Sequence, residues 1–205
     1  MLLTDSDVAA MAGDEPQIAG IVLAAGASRR MGANKLLLPI AGETLVRRAC
    51  GRALAAGLEP LIVVLGYESD RVRAALSGLD CLFALNSELG SSMSSSLHRG
   101  IEALPATTEV AVVMLADMVN VTEHMLRALT ARAATSAAPL VSSRYAGTLA
   151  PPVLFRRALF SELLGSTGEG CGKAVVERHK ANALFIDWPP AALIDVDTPE
   201  EFAQL

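Results

Sequence analysis

Two basic residues and three carboxylates are spaced so that together they could hold a polyphosphate and a divalent cation. Arg30 and Lys35 sit in the run Leu23-Ala24-Ala25-Gly26-Ala27-Ser28-Arg29-Arg30-Met31-Gly32-Ala33-Asn34-Lys35. Small residues let the backbone approach a ligand closely, and turned N–H groups cradle phosphate oxygens. Arg30 and Lys35 add the positive charge that a triphosphate needs. Asp117 follows the apolar stretch Val110–Leu115 with one residue between. A carboxylate at the end of a buried strand suits Mg²⁺, which prefers hard oxygen ligands. Asp195 and Asp197 offer a second carboxylate. Strand alternation puts both on one face, and both also precede a helix whose N-terminus they would stabilise, so spacing does not rank them.

Spacing rules out two common nucleotide loops. Five residues separate Gly26 from Gly32, with no Gly-Lys-Ser/Thr after them, so this is not a P-loop. The pattern Gly-x-Gly-x-x-Gly is also missing, which argues against a nicotinamide or flavin oxidoreductase. The run instead fills every fixed position of L-A-A-G-x-S-x-R-M-G-x-x-K and so resembles the MobA-like nucleotidyltransferases. Its Ala24-Ala25-Gly26 form is similar to the cytidylyl branch, the molybdenum cofactor cytidylyltransferases, whereas the guanylyl branch reads L-A-G-G.

That resemblance implies a nucleotide site made from Leu23, Ala24, Ala25, Gly26, Ser28, Arg30, Gly32 and Lys35, with Arg30, Lys35 and Asp117 catalytic. It implies Mg²⁺ on Asp117 and Asp197, the latter because Asp195-Val196-Asp197-Thr198-Pro199-Glu200 matches D-x-D-T-P-E. Asp117-Met118-Val119 stands where the family has Asp-Gln-Pro, so the carboxylate carries over and the turn after it does not. The segment Asn86–Leu97 resembles the family's stretch bordering the nucleotide, which points to Asn86 and to Ser95 or Ser96 at the base or ribose. A Ser-rich turn and helix cap would account for most of these serines as well. Gly168-Glu169-Gly170-Cys171-Gly172-Lys173 replaces the family's G-D-x-G-A-R, placing Gly168, Glu169 and Lys173 on the acceptor side. The implied reaction transfers CMP from CTP to molybdenum-loaded molybdopterin, with a molybdenum hydroxylase as client. Two alternatives stay open: a transferase for a sugar or polyol phosphate, and a non-catalytic module that delivers nucleotide or molybdopterin.

Composition narrows the setting. The net charge is −5 and no basic block exceeds a pair, which excludes a nucleic-acid surface and leaves substrate attraction to local cations. Cys50, Cys81 and Cys171 lie far apart with no C-x-x-C, as expected of reduced thiols in a cytoplasmic protein. His98, His124 and His179 are equally scattered and read as surface or helix-end residues. No basic residue precedes Arg29, unlike a secretory signal, and no apolar run reaches the length of a membrane span.

The elements that must position these groups follow from periodicity. Short apolar runs alternate with helical patterns, predicting an α/β fold with a mostly parallel sheet covered on both faces, hence three layers. The family resemblance implies the Rossmann-like fold of the nucleotide-diphospho-sugar transferases. Strands are expected at Ile18–Leu23, Pro60–Leu65, Cys81–Leu85, Val110–Leu115, Leu140–Tyr145, Leu184–Ile186 and Leu193–Val196. Helices are expected at Thr44–Ala56, Glu68–Leu76, Ser92–Leu104, Thr122–Ala134, Arg156–Leu164 and Lys173–His179, with a last one starting at Thr198-Pro199. Residues 1–16 read as an extension and 17–205 as one domain.

Overall fold

The computed structural model describes residues 17–26, 28, 32–88, 92–167, 172–194 and 202. The first described element is β1 (Ile18–Ala24), followed by a 3₁₀ turn at Lys35–Leu37 and a small hairpin, β2 (Pro39–Ile40) and β3 (Glu43–Thr44). Next come α1 (Leu45–Ala55), β4 (Leu61–Leu65), α2 (Ser69–Ala75), β5 (Leu82–Leu85), α3 (Met93–Glu102), β6 (Val110–Leu115) and α4 (Glu123–Ala134). The hairpin β7 (Leu140–Tyr145) and β8 (Thr148–Arg156) then leads through a 3₁₀ turn to α5 (Phe160–Leu164), α6 (Lys173–Arg178) and β9 (Leu184–Trp188).

Among the described residues, seven strands form one sheet in the order β5-β4-β1-β6-β8-β7-β9. β5, β4, β1 and β6 run parallel, β8 is antiparallel to both β6 and β7, and β9 is parallel to β7. Alternation along the strands divides the core. Val22, Val63 and Val112 pack with Val46, Cys50, Ala53, Val72, Leu126 and Leu129 from α1, α2 and α4. Ile21, Ile62 and Val113 face the other way, onto Leu97, Ile101, Leu163, Val175 and Val176 from α3, α5 and α6. Helices therefore cover both faces, and the central strands read as continuous apolar runs. Gly100 lets α3 lie flat on the sheet, since a Cβ there would come within 2.5 Å of Ile21 Cγ2.

Local signals set the helix starts. The hydroxyls of Thr44, Ser92 and Thr122 accept from the backbone N–H groups of Arg47, Ser95 and Met125, capping α1, α3 and α4. Gly57, at φ +81°, turns the chain out of α1.

Two expectations are corrected. Residues 151–155 do not lead directly into a helix at Arg156; they belong to a nine-residue strand that ends there. Arg156 is pinned at the strand end because its guanidinium donates to the carbonyls of Ala133, Ser136 and Ala138. Leu193 and Ile194 lie outside any strand, and Val196, with the final expected helix start, falls outside the described residues. The β2–β3 hairpin went unpredicted because each strand is only two residues long.

Both hairpins use the same unusual turn. Ala41-Gly42 and Ala146-Gly147 have φ values of 51° and 87°, and 48° and 90°, respectively. Two-residue hairpins need this left-handed backbone at both positions, and alanine tolerates it less well than asparagine. Ala146 is exposed, so Ala146→Asn is expected to raise unfolding free energy by about 0.5–1 kcal/mol in urea titrations. A loss of stability would show that the turn is not held in this geometry.

A candidate nucleotide and metal site at the carboxyl edge of the sheet

Register brings three strand ends together. Ala24 of β1 pairs with Leu65 of β4, and Leu23 pairs with Leu115 of β6. The loops that follow must therefore meet at the carboxyl edge, where ligands gather in open parallel sheets. Ala116 N–H donates to the Leu23 carbonyl at 3.1 Å, and Asn86 N–H donates to the Leu65 carbonyl at 2.8 Å. Gly66 lets two of these loops touch, because a Cβ on it would sit 2.6 Å from the Ala25 carbonyl oxygen.

The loop after β1 is folded back by its own polar side chains. Ser28, at φ +48°, accepts the Lys35 N–H on its Oγ at 3.1 Å. Asn34 caps the 3₁₀ turn by accepting from Leu36 N–H and donates its Nδ2 to the Tyr67 carbonyl. Gly32 adopts φ +67°, a conformation that suits glycine. Gly26 is different: its backbone is not left-handed, it is exposed, and a Cβ would meet nothing within 4 Å. Protein packing does not demand glycine there, whereas close approach of a ligand would.

These constraints deliver Lys35 to Asp117. Lys35 Nζ lies 2.6 Å from Asp117 Oδ2, and Lys35 is 8% exposed. Asp117 Oδ1 is buried and has no hydrogen-bond partner. A buried acceptor left unpaired is costly, so such an atom marks a place where another group is expected to bind. An acceptor-only oxygen beside a phosphate loop fits a hard divalent cation, and Asp117 is the residue among those described that would hold it.

The turn after Asp117, where the sequence departs from the family pattern, is nonetheless well held. Met118, Val119 and Val121 are buried, and Val121 N–H donates to the Met118 carbonyl. Arg52, reaching from α1, donates from one nitrogen to the carbonyls of Val119 at 2.7 Å and Val121 at 2.6 Å. Burial, followed by the neighbouring Arg48, lowers the pKa of Arg52 from its ordinary value. Apolar anchoring and one guanidinium thus hold the turn without a Gln-Pro pair.

Asn86 and Ser95 are brought together, though by bonds to each other. Asn86 Nδ2 donates to Ser95 Oγ and Ser96 Oγ, each at 3.0 Å, and Oδ1 accepts from Glu88 N–H. Ser95 Oγ also donates to the Ser92 carbonyl. Asn86 therefore ties the loop after β5 to the first turn of α3. Arg30, Asp197, Gly168 and Glu169 lie outside the described residues.

Lys173, exposed at the start of α6, borders a cavity of about 170 Å³ that reaches Leu115 at the end of β6. Met93, Leu115, Leu149, Ala150, Pro151, Val153 and Val176 line it, and Ser142 and Lys173 are its polar side chains among the described residues. Lining by β8 depends on a strand that the sequence reading does not expect, so this cavity was not foreseen. Asn34, Arg52 and Gly66 were also missed. Asn34 and Gly66 sit in visible turn signals, whereas nothing local marks Arg52.

The described cysteines and histidines have other surroundings. Burial pushes the Cys50 thiol up to about 12, with Cys81 adding to the shift. His98 contacts the Leu163 carbonyl, and His179 pairs with Glu162, which also binds Arg178. No group of three or more metal-ligating side chains occurs among the described residues, and no described helix is long and apolar enough to cross a membrane.

Arg52→Met is expected to lower unfolding free energy by about 1–3 kcal/mol in urea, since two buried carbonyls lose their donor. A change below about 0.5 kcal/mol would mean that the buried apolar side chains hold the Asp117 turn unaided.

Similarity to known proteins agrees with this geometry. Residues 20–183 match the MobA-like NTP transferase domain. Purine catabolism protein PucB of Bacillus subtilis is 32% identical over 201 residues, covering 91% of this chain and 95% of PucB. A probable molybdenum cofactor guanylyltransferase of Natronomonas pharaonis is 31% identical over 115 residues, or 56% of each protein. The crystal structure of Rv0371c from Mycobacterium tuberculosis superposes with a TM-score of 0.81 at 28% identity, covering 92% of this chain and 96% of that one. The same mycobacterial protein has been solved in complex with manganese, with a TM-score of 0.74 to this chain. The matched span, the full-length relative and the Lys35–Asp117 edge converge: this chain belongs to the MobA-like nucleotidyltransferase family.

Proposed function

We propose that the protein is a Mg²⁺-dependent cytidylyltransferase that moves CMP from CTP to a molybdopterin-type cofactor and releases pyrophosphate. The observation that carries this reading is the Lys35–Asp117 contact at 2.6 Å, beside a buried carboxylate oxygen with no partner. It joins one group suited to phosphate with one suited to a divalent cation at the end of β6.

An oxygen of the acceptor's terminal phosphate bonds to the α-phosphorus of CTP as the bond to the β-phosphate oxygen breaks. A phosphate monoester is already anionic at neutral pH, so no strong protein base is needed. The protein's work is to align the groups and stabilise their crowded negative charge. Lys35 and, by family pattern, Arg30 compensate charge on the triphosphate, while Leu23, Ala24, Ala25, Gly26, Ser28 and Gly32 shape the backbone around it. Asp117 holds the metal position, with Asp197 as the second ligand on the D-x-D-T-P-E pattern. Bound there, Mg²⁺ would supply Lewis acidity and neutralise the reacting phosphate oxygens. The manganese complex of the mycobacterial relative supports a divalent metal in this fold.

Two features support the finer assignment. Ala25, just after β1, carries a methyl where the guanylyl branch has glycine, so Leu23-Ala24-Ala25-Gly26 follows the cytidylyl pattern. The cavity that reaches Leu115 at the end of β6 is walled mainly by apolar side chains. A planar heterocycle suits such walls, whereas a sugar phosphate would leave hydroxyls unpaired. Lys173 at its rim, with Gly168 and Glu169 by family pattern, belongs to this acceptor side. The guanylyltransferase relative, by its name, works on molybdenum cofactor, which agrees with that acceptor. Delivery to a molybdenum hydroxylase in the cytoplasm completes the proposal.

The test is pyrophosphate release with Mg²⁺ and molybdenum-loaded molybdopterin, comparing CTP, GTP, ATP and UTP. Selective release with CTP is expected, and Lys35→Ala and Asp117→Asn should each slow it by about a hundredfold or more while remaining folded. Selectivity for GTP would overturn the base assignment, and preference for a sugar phosphate would overturn the acceptor. Nucleotide binding without release would favour a delivery module.

A further inference from the structure

Lys35 and Asp117 are bound to each other, although one suits the triphosphate and the other the metal. We propose that this contact is exchanged during loading. Lys35 occupies Asp117 before nucleotide arrives, and the triphosphate draws the ammonium away, so that divalent cation and nucleotide bind interdependently. The inference rests on the nucleotidyltransferase reading of the site and adds an order of events to it.

The backbone on both sides of the pair is anchored. The Lys35 backbone is held by Ser28 Oγ at its N–H and by Leu38 N–H at its carbonyl. Asp117 sits on a turn held by Arg52 and buried apolar residues. Lysine carries a compact charge on a flexible four-carbon chain with three rotatable donors, so it can change partner without backbone movement.

Charge then determines what binds first. A cation approaching Oδ1 while Nζ lies on Oδ2 meets a like charge across one carboxylate, in a place largely shielded from water. Screening is weak there, and the single negative charge is already answered. A triphosphate brings several negative charges and is a stronger partner for an ammonium than one carboxylate. Once Lys35 turns to it, both oxygens of Asp117 are released for the cation. Linkage requires the converse as well: whatever factor the nucleotide adds to metal affinity, the metal adds to nucleotide affinity.

Mn²⁺ binding, followed by the electron paramagnetic resonance signal of the free ion, tests this without turnover. Wild-type protein is expected to bind Mn²⁺ poorly alone and better with a non-hydrolysable CTP analogue. Removing the ammonium in Lys35→Met should tighten binding of Mn²⁺ alone by about tenfold and shrink the benefit of the analogue by a similar factor. Lys35→Arg, which keeps the charge, should remain weak without nucleotide. Asp117→Asn should lose the site under both conditions, with circular dichroism melts confirming that each variant is folded. Loss in Asp117→Asn with no gain in Lys35→Met would overturn the exchange and leave the site intact. Unchanged Mn²⁺ binding in Asp117→Asn would overturn both the exchange and the metal assignment on which it rests.

Discussion

A single charge pair, Lys35 with Asp117, is what the architecture at the carboxyl edge of the sheet makes possible. The two residues are 82 positions apart in sequence and within 2.6 Å in space. Their meeting depends on parallel pairing of β1 with β6, which sets Leu23 against Leu115 and brings the following loops together. A register slip would separate the charges and turn the apolar faces of the strands the wrong way, so the core protects the site geometry. The carboxylate also remains incompletely satisfied, with one oxygen on a lysine and the other buried alone. A fold that keeps such a group has reserved it for something that binds.

The supports of this pair differ in kind. On the lysine side, polar side chains do the work: Ser28 accepts the Lys35 N–H, and Asn34 bridges the 3₁₀ turn to Tyr67. On the aspartate side, buried methionine and valine side chains and the Arg52 guanidinium fix the turn. The family's usual Gln-Pro is absent, and the carboxylate still stands at the strand end. Tolerance of this kind is expected where the functional requirement falls on one side chain and the turn needs only a stable conformation.

Much of this was legible before any coordinates. Buried parallel strands such as Leu61–Leu65 and Val110–Leu115 are uninterrupted apolar runs, and Thr44, Ser92 and Thr122 announce their helices by capping chemistry. The loop of the first strand and Asp117 stood out by residue type and spacing. What escaped was non-local or locally atypical. The Ala146-Gly147 turn lacks the usual asparagine, so the β7–β8 hairpin and the strand behind the cavity were under-read. Arg52 looks like any helix-surface arginine until its acceptors, 67 and 69 residues away, are seen. Asn86 was read as a contact for the nucleotide, yet its amide is engaged with Ser95 and Ser96. Its motif also serves to seat a helix.

The most direct test of the account is crystallographic. Crystals grown with Mn²⁺ and a non-hydrolysable CTP analogue would be measured at the manganese absorption edge, so that anomalous scattering locates the ion independently of the refined coordinates. The account predicts manganese on Asp117 Oδ1, with Lys35 Nζ moved from Oδ2 onto a phosphate oxygen. Manganese bound away from Asp117, or Lys35 still seated on Oδ2 with the triphosphate in place, would contradict it.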